Sequence, residues 1–230
     1  VKILIFIILF SPLCEAKMIR LAIIDSGLDT SKYSTNICPD GLYDLTLPVP
    51  GRVKTMTDDM GHANNIIGII SDKLKNTDYC LYVFKVYSKN TLKNPFLPHL
   101  MAFFLVLKLG NIDIVNYSSS GSHGITMEQQ LFNAIMKKGA KIIVAAGNDN
   151  KDLDKKCDAY PACYGNVISV GNINVNGERA PLSNYGKVIK VWRMGEDICY
   201  NDLCLSGTSQ ATAVYSAELA LEMSKKNGNR

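Results

Sequence analysis

Short apolar runs alternate with helical patterns along almost the whole of this 230-residue chain. That alternation constrains the fold more than any other feature. Residues 19–24 form an apolar run of strand length that stops at Asp25. Residues 62–74 carry Ile66, Ile67, Ile69 and Ile70 at helical spacing. Further strands are predicted at 79–87, 112–116, 141–145, 167–170 and 188–192. Further helices are predicted at 99–109, 126–138 and 209–224. Strands and helices in alternation pack as a parallel sheet covered on both faces. The expected fold is therefore α/β: one compact domain with a doubly wound, mainly parallel sheet and helices on both sides. No repeat or linker-like shift in composition divides it.

Hydrophobic residues make up 47% and charged residues 20%, a balance that supports a packed core and excludes wholesale disorder. The net charge is +4 with no dense Lys/Arg run, so a nucleic-acid partner is not expected. Residues 1–16 stand apart from the rest. Lys2 precedes the apolar run 3–10, Pro12 breaks it, and the small residues Cys14 and Ala16 lie three and one positions before Lys17. This reads as a signal peptide, with the folded domain over residues 17–230. The run is too short for the ~20 residues that span a bilayer, so no stable membrane anchor is expected and the protein is expected to be exported.

Removal of Cys14 with that segment leaves six of the seven cysteines. An even number in an exported chain suggests disulfides. Short loops close at the lowest entropic cost, so Cys157–Cys163 and Cys199–Cys204 are expected, which leaves Cys38–Cys80. No C-x2-C pair occurs and His62, His99 and His123 are scattered, so neither a metal nor a cofactor is expected.

Three polar residues lie at element boundaries. Asp25 ends the first strand, in Ile23-Ile24-Asp25-Ser26-Gly27. A carboxylate there faces the crevice where α/β proteins bind ligands. His62 follows Gly61 and opens a helix. Ser209, in Ser206-Gly207-Thr208-Ser209-Gln210-Ala211, opens the last one, near its positive end. Each residue alone also fits a plain role as a helix cap or turn former. Together they form an acid, an imidazole and a hydroxyl that strand ends can bring to one edge of the sheet.

The order Asp25, His62, Ser209 resembles that of subtilisin-like serine proteases. The resemblance extends to Ile23 through Gly27, to Gly61-His62 through Gly68, and to Ser206-Gly207-Thr208-Ser209. Val144-Ala145-Ala146-Gly147-Asn148 is similar to the family's Asn motif. Tyr160-Pro161-Ala162, Val170-Gly171 and Leu182-Ser183-Asn184-Tyr185-Gly186 match later landmarks. The likeness runs from about residue 21 to 220, and several motifs in the right order are far more specific than one Gly-Thr-Ser. It implies that Ser209 is the nucleophile, His62 the base and Asp25 its orienting acid, with Asn148 and the Ser209 N–H as oxyanion donors.

The resemblance also suggests where substrate would lie. Ser118, Ser119 and Ser120, followed by Gly121, resemble the segment on which substrates pair as an added strand. Ala145, Ala146 and Gly147 would form one wall of the pocket for the residue before the scissile bond, with Ala159 near its floor. These linings imply apolar or medium-sized side chains, unless Asp158 turns inward and favours basic ones. Several positions depart from the family pattern. Ala63-Asn64-Asn65 replaces Gly-Thr-His after the histidine, a helix interior accommodating Ala63. Gln210 stands where many relatives have Met, and Ala211-Thr212-Ala213-Val214 replaces Ala-Ser-Pro-His. Ser119-Ser120 makes an apolar pocket further along the substrate less expected.

Only about sixteen residues precede the first strand pattern, so a folding propeptide is not expected within this chain. The stretch 71–78 is too short for the calcium loop relatives often place there. The expectation is a secreted monomeric serine endopeptidase acting on polypeptides. The alternative is a subtilisin-like peptide-binding protein impaired in catalysis. A nucleotide-binding α/β protein is disfavoured by the lack of a G-x-G-x-x-G turn or P-loop.

Overall fold

The computed structural model describes residues 18–33, 35–89, 96–201 and 203–228; the expected signal peptide at 1–16 lies outside them. Its centre is an eight-stranded sheet. β1 (Ile19–Asp25) pairs in parallel with β4 (Tyr79–Lys85) on one side and β5 (Ile114–Tyr117) on the other. Beyond β5 follow β6 (Lys141–Ala145), β7 (Ile168–Ile173) and β8 (Val191–Met194), all parallel. Beyond β4 lies β2 (Ile37–Asp44), and β3 (Gly51–Arg52) closes that edge antiparallel to β2.

The pleat of β1 shows why its sequence is apolar throughout. Ile19, Leu21 and Ile23 face one side and Ala22 and Ile24 the other, as the two-residue period requires. The first set packs into a core shared with α1 (His62–Leu74) and α4 (Thr208–Gly228). The second packs under α2 (Phe96–Leu109) and α3 (Thr126–Lys137). Both faces are covered, so every β1 residue from Leu21 on is buried. This is the doubly wound architecture, in one domain.

Some element bounds differ from the sequence expectation. α2 begins at Phe96, three residues before His99. Pro98 lies in the first helical turn, where its missing N–H has no intrahelical partner to lose. β8 begins at Val191, not residue 188. A short antiparallel hairpin, β9 (Ile198–Tyr200) and β10 (Leu203–Leu205), was not foreseen. It rests on α1, with the Tyr200 ring over Gly68, where a Cβ would overlap the ring. All three expected disulfides are present. Cys38–Cys80 joins neighbouring strands β2 and β4, Cys199–Cys204 spans the hairpin, and Cys157–Cys163 closes a surface loop.

Candidate active site

The parallel strands β1, β5 and β6 end at the same edge of the sheet, so the residues leaving them share one crevice. Asp25, the last residue of β1, is fully buried. Its Oδ1 accepts from the Ser26 backbone N–H at 2.7 Å and lies 2.7 Å from His62 Nδ1. The Ser26 hydroxyl donates to the same oxygen at 3.2 Å and accepts from the Ala63 N–H at 3.0 Å. The start of α1 is thus tied to the end of β1 through one small side chain.

Asp58 fixes the same helix from the other side. Its Oδ1 accepts from the N–H groups of Met60 and Gly61, and its Oδ2 from that of Asn64. These N–H groups lie at the helix start, where donors lack intrahelical partners. Asp58 was not singled out from sequence, although an Asp shortly before a helix is a recognisable start signal. The half-buried His62 ring feels three influences. Burial pulls its pKa down, while the Asp25 charge and hydrogen bond, with the Asp58 charge, push it up; the net direction is upward from its usual 6.5.

Ser209 is the second residue of α4, half-buried at the helix N-terminus. Its Oγ donates to the Ser118 carbonyl at 3.1 Å, and Ser118 Oγ donates back to the Ser209 carbonyl at 3.0 Å. Asn116 Nδ2 donates to Ser118 Oγ, and Asn116 Oδ1 accepts from Ser216 Oγ further along α4. This buried chain fastens α4 to the end of β5. Neither Asn116 nor Ser216 was singled out from sequence, because the contacts join residues about a hundred positions apart.

Asn148 follows β6 in the loop opposite Ser209. Its Oδ1 accepts from both the backbone N–H and the hydroxyl of Thr208, at 2.9 and 3.0 Å. With the oxygen so held, Nδ2 remains the donor face of the amide. Gly207 has φ +152°, and a Cβ there would come 3.1 Å from Asn148 Nδ2. Asn184 shapes the same loop: its side chain donates to the Ala146 carbonyl and accepts from the N–H groups of Asp149 and Lys151. Its landmark motif was noted in sequence, but not this bracing.

The residues expected to contact substrate fall into two groups. Ser118, Ser119 and Ser120 leave β5 along the crevice, and Gly121 forms two 2.7 Å backbone bonds with Tyr160. A cavity of about 270 Å³ adjoins Ser119, Ser120 and Gly121, lined also by Tyr87, His99 and Glu128. Ala145, Ala146, Gly147 and Ala159 do not line it. Ala146 and Ala159 share a separate small apolar cluster with Leu153 and Ile189, and Gly147 accepts the Asn184 N–H at 2.9 Å. Asp158 pairs with Lys151 and Lys156, each at 3.3 Å. Among the described residues no group of three or more His, Cys, Asp or Glu side chains is gathered so as to hold a metal.

The crevice is thus bordered by an imidazole held on a buried carboxylate and by a serine hydroxyl that donates to the Ser118 carbonyl. The Subtilase family model matches residues 16–229 of the chain. Subtilisin amylosacchariticus of Bacillus subtilis subsp. amylosacchariticus is 26% identical over 225 residues, covering 90% of this chain and 56% of its own. Subtilisin-like protease 2 of Arthroderma otae is 30% identical over 173 residues, covering 73% of this chain and 39% of its own. The chain thus spans about half the length, or less, of these curated relatives. Two solved structures share the fold. A lanthipeptide protease aligns with TM-score 0.78 at 18% identity, over 92% of this chain and 74% of its own. A cold-adapted subtilisin-like serine proteinase aligns with TM-score 0.72 at 22% identity, over 91% and 77%.

Proposed function

The chain belongs to the subtilase family, and from that membership we propose that it is a secreted serine endopeptidase that hydrolyses peptide bonds through an acyl-enzyme on Ser209. The observation that carries this reading is the 2.7 Å contact between His62 Nδ1 and the buried Asp25 carboxylate. An imidazole held this way donates its Nδ1–H to the carboxylate and presents Nε2 as a base.

Ser209 Oγ attacks the scissile carbonyl while His62 takes its proton. His62 then returns the proton to the leaving amine, and a water molecule releases the acyl group by the same route. A hydroxyl carries one proton, and in this structure Ser209 donates it to Ser118. A turn about the Ser209 Cα–Cβ bond redirects it to His62. The negative oxygen that forms needs preset donors. The Ser209 N–H, in the first turn of α4, has no intrahelical acceptor. Asn148 Nδ2 is the second donor.

The substrate is a polypeptide that lies along residues 118–120 as an added strand. By family likeness residues 145–147, with Ala159, border the residue before the scissile bond, and their small uncharged side chains suit an apolar or medium-sized side chain there. Asp158, paired with two lysines, does not direct the choice toward basic residues. Residues 1–16 serve as an export signal for a monomeric peptidase domain at 17–230, and three disulfides suit an oxidising compartment.

The test is to incubate the protein with a denatured polypeptide and map the cut sites by mass spectrometry. Internal cleavage by the wild type, absent in Ser209→Ala, is expected; no cleavage, or cleavage that survives the substitution, contradicts it. One observation favours the second reading, a peptide-binding protein without turnover: the Ser209 proton is engaged by Ser118. Peptide binding without cleavage would select that reading.

A further inference from the structure

Two departures from the family pattern meet in space. Asn65 lies one turn beyond His62 in α1, and Gln210 follows Ser209 in α4. Gln210 Nε2 donates to Asn65 Oδ1 at 3.1 Å. Both Asn65 amide protons are engaged as well, because Nδ2 donates to the Ile198 carbonyl at 3.0 Å and to the Leu203 carbonyl at 3.2 Å. Those carbonyls belong to the two strands of the β9–β10 hairpin. Asn65 and Gln210 are 1% and 2% exposed. Amides this deeply buried are costly to leave unpaired, so the bonds admit little slippage between the elements they join.

The elements joined are those that bear the reacting groups. The first residue of α1 is His62, and the residue before Gln210 is Ser209. We propose that Asn65 and Gln210 are positioning residues, a buried amide bridge that sets the register of α1 against α4 and so holds His62 within reach of the Ser209 hydroxyl. The hairpin, clasped by Cys199–Cys204, anchors the bridge at its other end. Neither amide touches the reacting atoms. Their effect falls on the approach of imidazole to hydroxyl, and substrate is bound elsewhere, along residues 118–120. This role rests on the hydrolase reading given above.

Gln210→Met keeps the length of the side chain and removes the donor. The full chain and this variant are compared by their rates of phosphonylation with a fluorophosphonate, and by kcat and KM on a peptide p-nitroanilide. Thermal unfolding shows that both are folded. The expected result is a roughly tenfold fall in the labelling rate constant and in kcat per labelled site, with the extent of labelling unchanged and KM unchanged within about twofold; simple loss of folded protein would lower the extent of labelling and leave the rate constant and the kcat per labelled site as they are. If Gln210→Met does not fold, Gln210→Asn, which keeps the amide but falls short of Asn65, is read the same way. A folded variant that labels and turns over at the wild-type rate overturns the positioning role and leaves the hydrolase reading intact. A wild-type protein that neither labels nor cleaves overturns both.

Discussion

His62 Nδ1 and Asp25 Oδ1 are 2.7 Å apart, and the carboxylate is fully buried. The pair couples the first residue of α1 to the last residue of β1, two points 37 positions apart in sequence.

The first prediction follows from the charge on that pair. Burial lowers the His62 pKa, but Asp25 and then Asp58 outweigh it, so the folded value lies above 6.5. The base must be neutral to act, so kcat/KM should rise with pH through an inflection above 6.5. Asp58→Asn should move that inflection toward acid. The same shift acts on stability. A raised folded pKa adds stability that is complete below the unfolded value near 6.5 and is lost as pH rises through the folded value. Asp25→Asn should remove the largest upward influence and leave burial dominant, so stability should no longer fall as pH rises through this range, and it should lower kcat by about 10⁴-fold. A pH-rate profile and thermal unfolding of each variant check both effects.

The oxyanion donors give the second. Asn148→Ala should lower kcat by about 10²–10³-fold with little change in KM; that magnitude was measured on subtilisin, a relative of this protein. Gly207→Ala should reduce activity through the same amide, since its Cβ would come 3.1 Å from Asn148 Nδ2 at a φ of +152° that suits only glycine. It should also cost more than about 1 kcal/mol of stability. Steady-state kinetics and denaturant unfolding separate the two losses.

The disulfides give the third. Loop-closure entropy scales with the logarithm of loop length, and the separations are 42 residues for Cys38–Cys80 and 5 for Cys199–Cys204. Replacing the first pair by alanine should cost about 4 kcal/mol and the second about 2 kcal/mol. Urea unfolding measures both. Equal costs, or the reverse order, would contradict the entropic account.

Packing gives the fourth. Gly68 leaves room for the Tyr200 ring, and any Cβ there would overlap it. Gly68→Ala should therefore lift the β9–β10 hairpin from α1 and cost about 1–3 kcal/mol, despite alanine's better helix propensity. A stabilised variant would show that the hairpin does not pack there.

What was legible in the sequence follows from the range of the forces involved. β1, β6 and α1 were read closely because continuous apolar runs and 3.6-residue spacing are local signals. Cys157–Cys163 and Cys199–Cys204 were found because their loops are short. β2 was missed because Cys38-Pro39-Asp40-Gly41 has the composition of a turn. Asp40 does adopt φ +57°, and the pairing with β4 shifts register between Ile37 and Leu42. The 37 positions between Asp25 and His62 were bridged by family likeness, not by periodicity. Asn65 and Gln210 stood out in sequence only as departures, because nothing local signals a bond across 145 positions. The bracing contacts of Asn184 and the bonds of Asn116 were hidden for the same reason: a buried amide is recognised by its partners, and these come from other elements.

The most direct test is phosphonylation of the purified protein by a fluorophosphonate, with the modified residue located by peptide mass spectrometry. The account predicts one adduct per chain, on Ser209, formed at a rate that rises with the deprotonation of His62 and falls to near background in His62→Ala. An unmodified protein, an adduct on another residue, or labelling indifferent to His62 would contradict it.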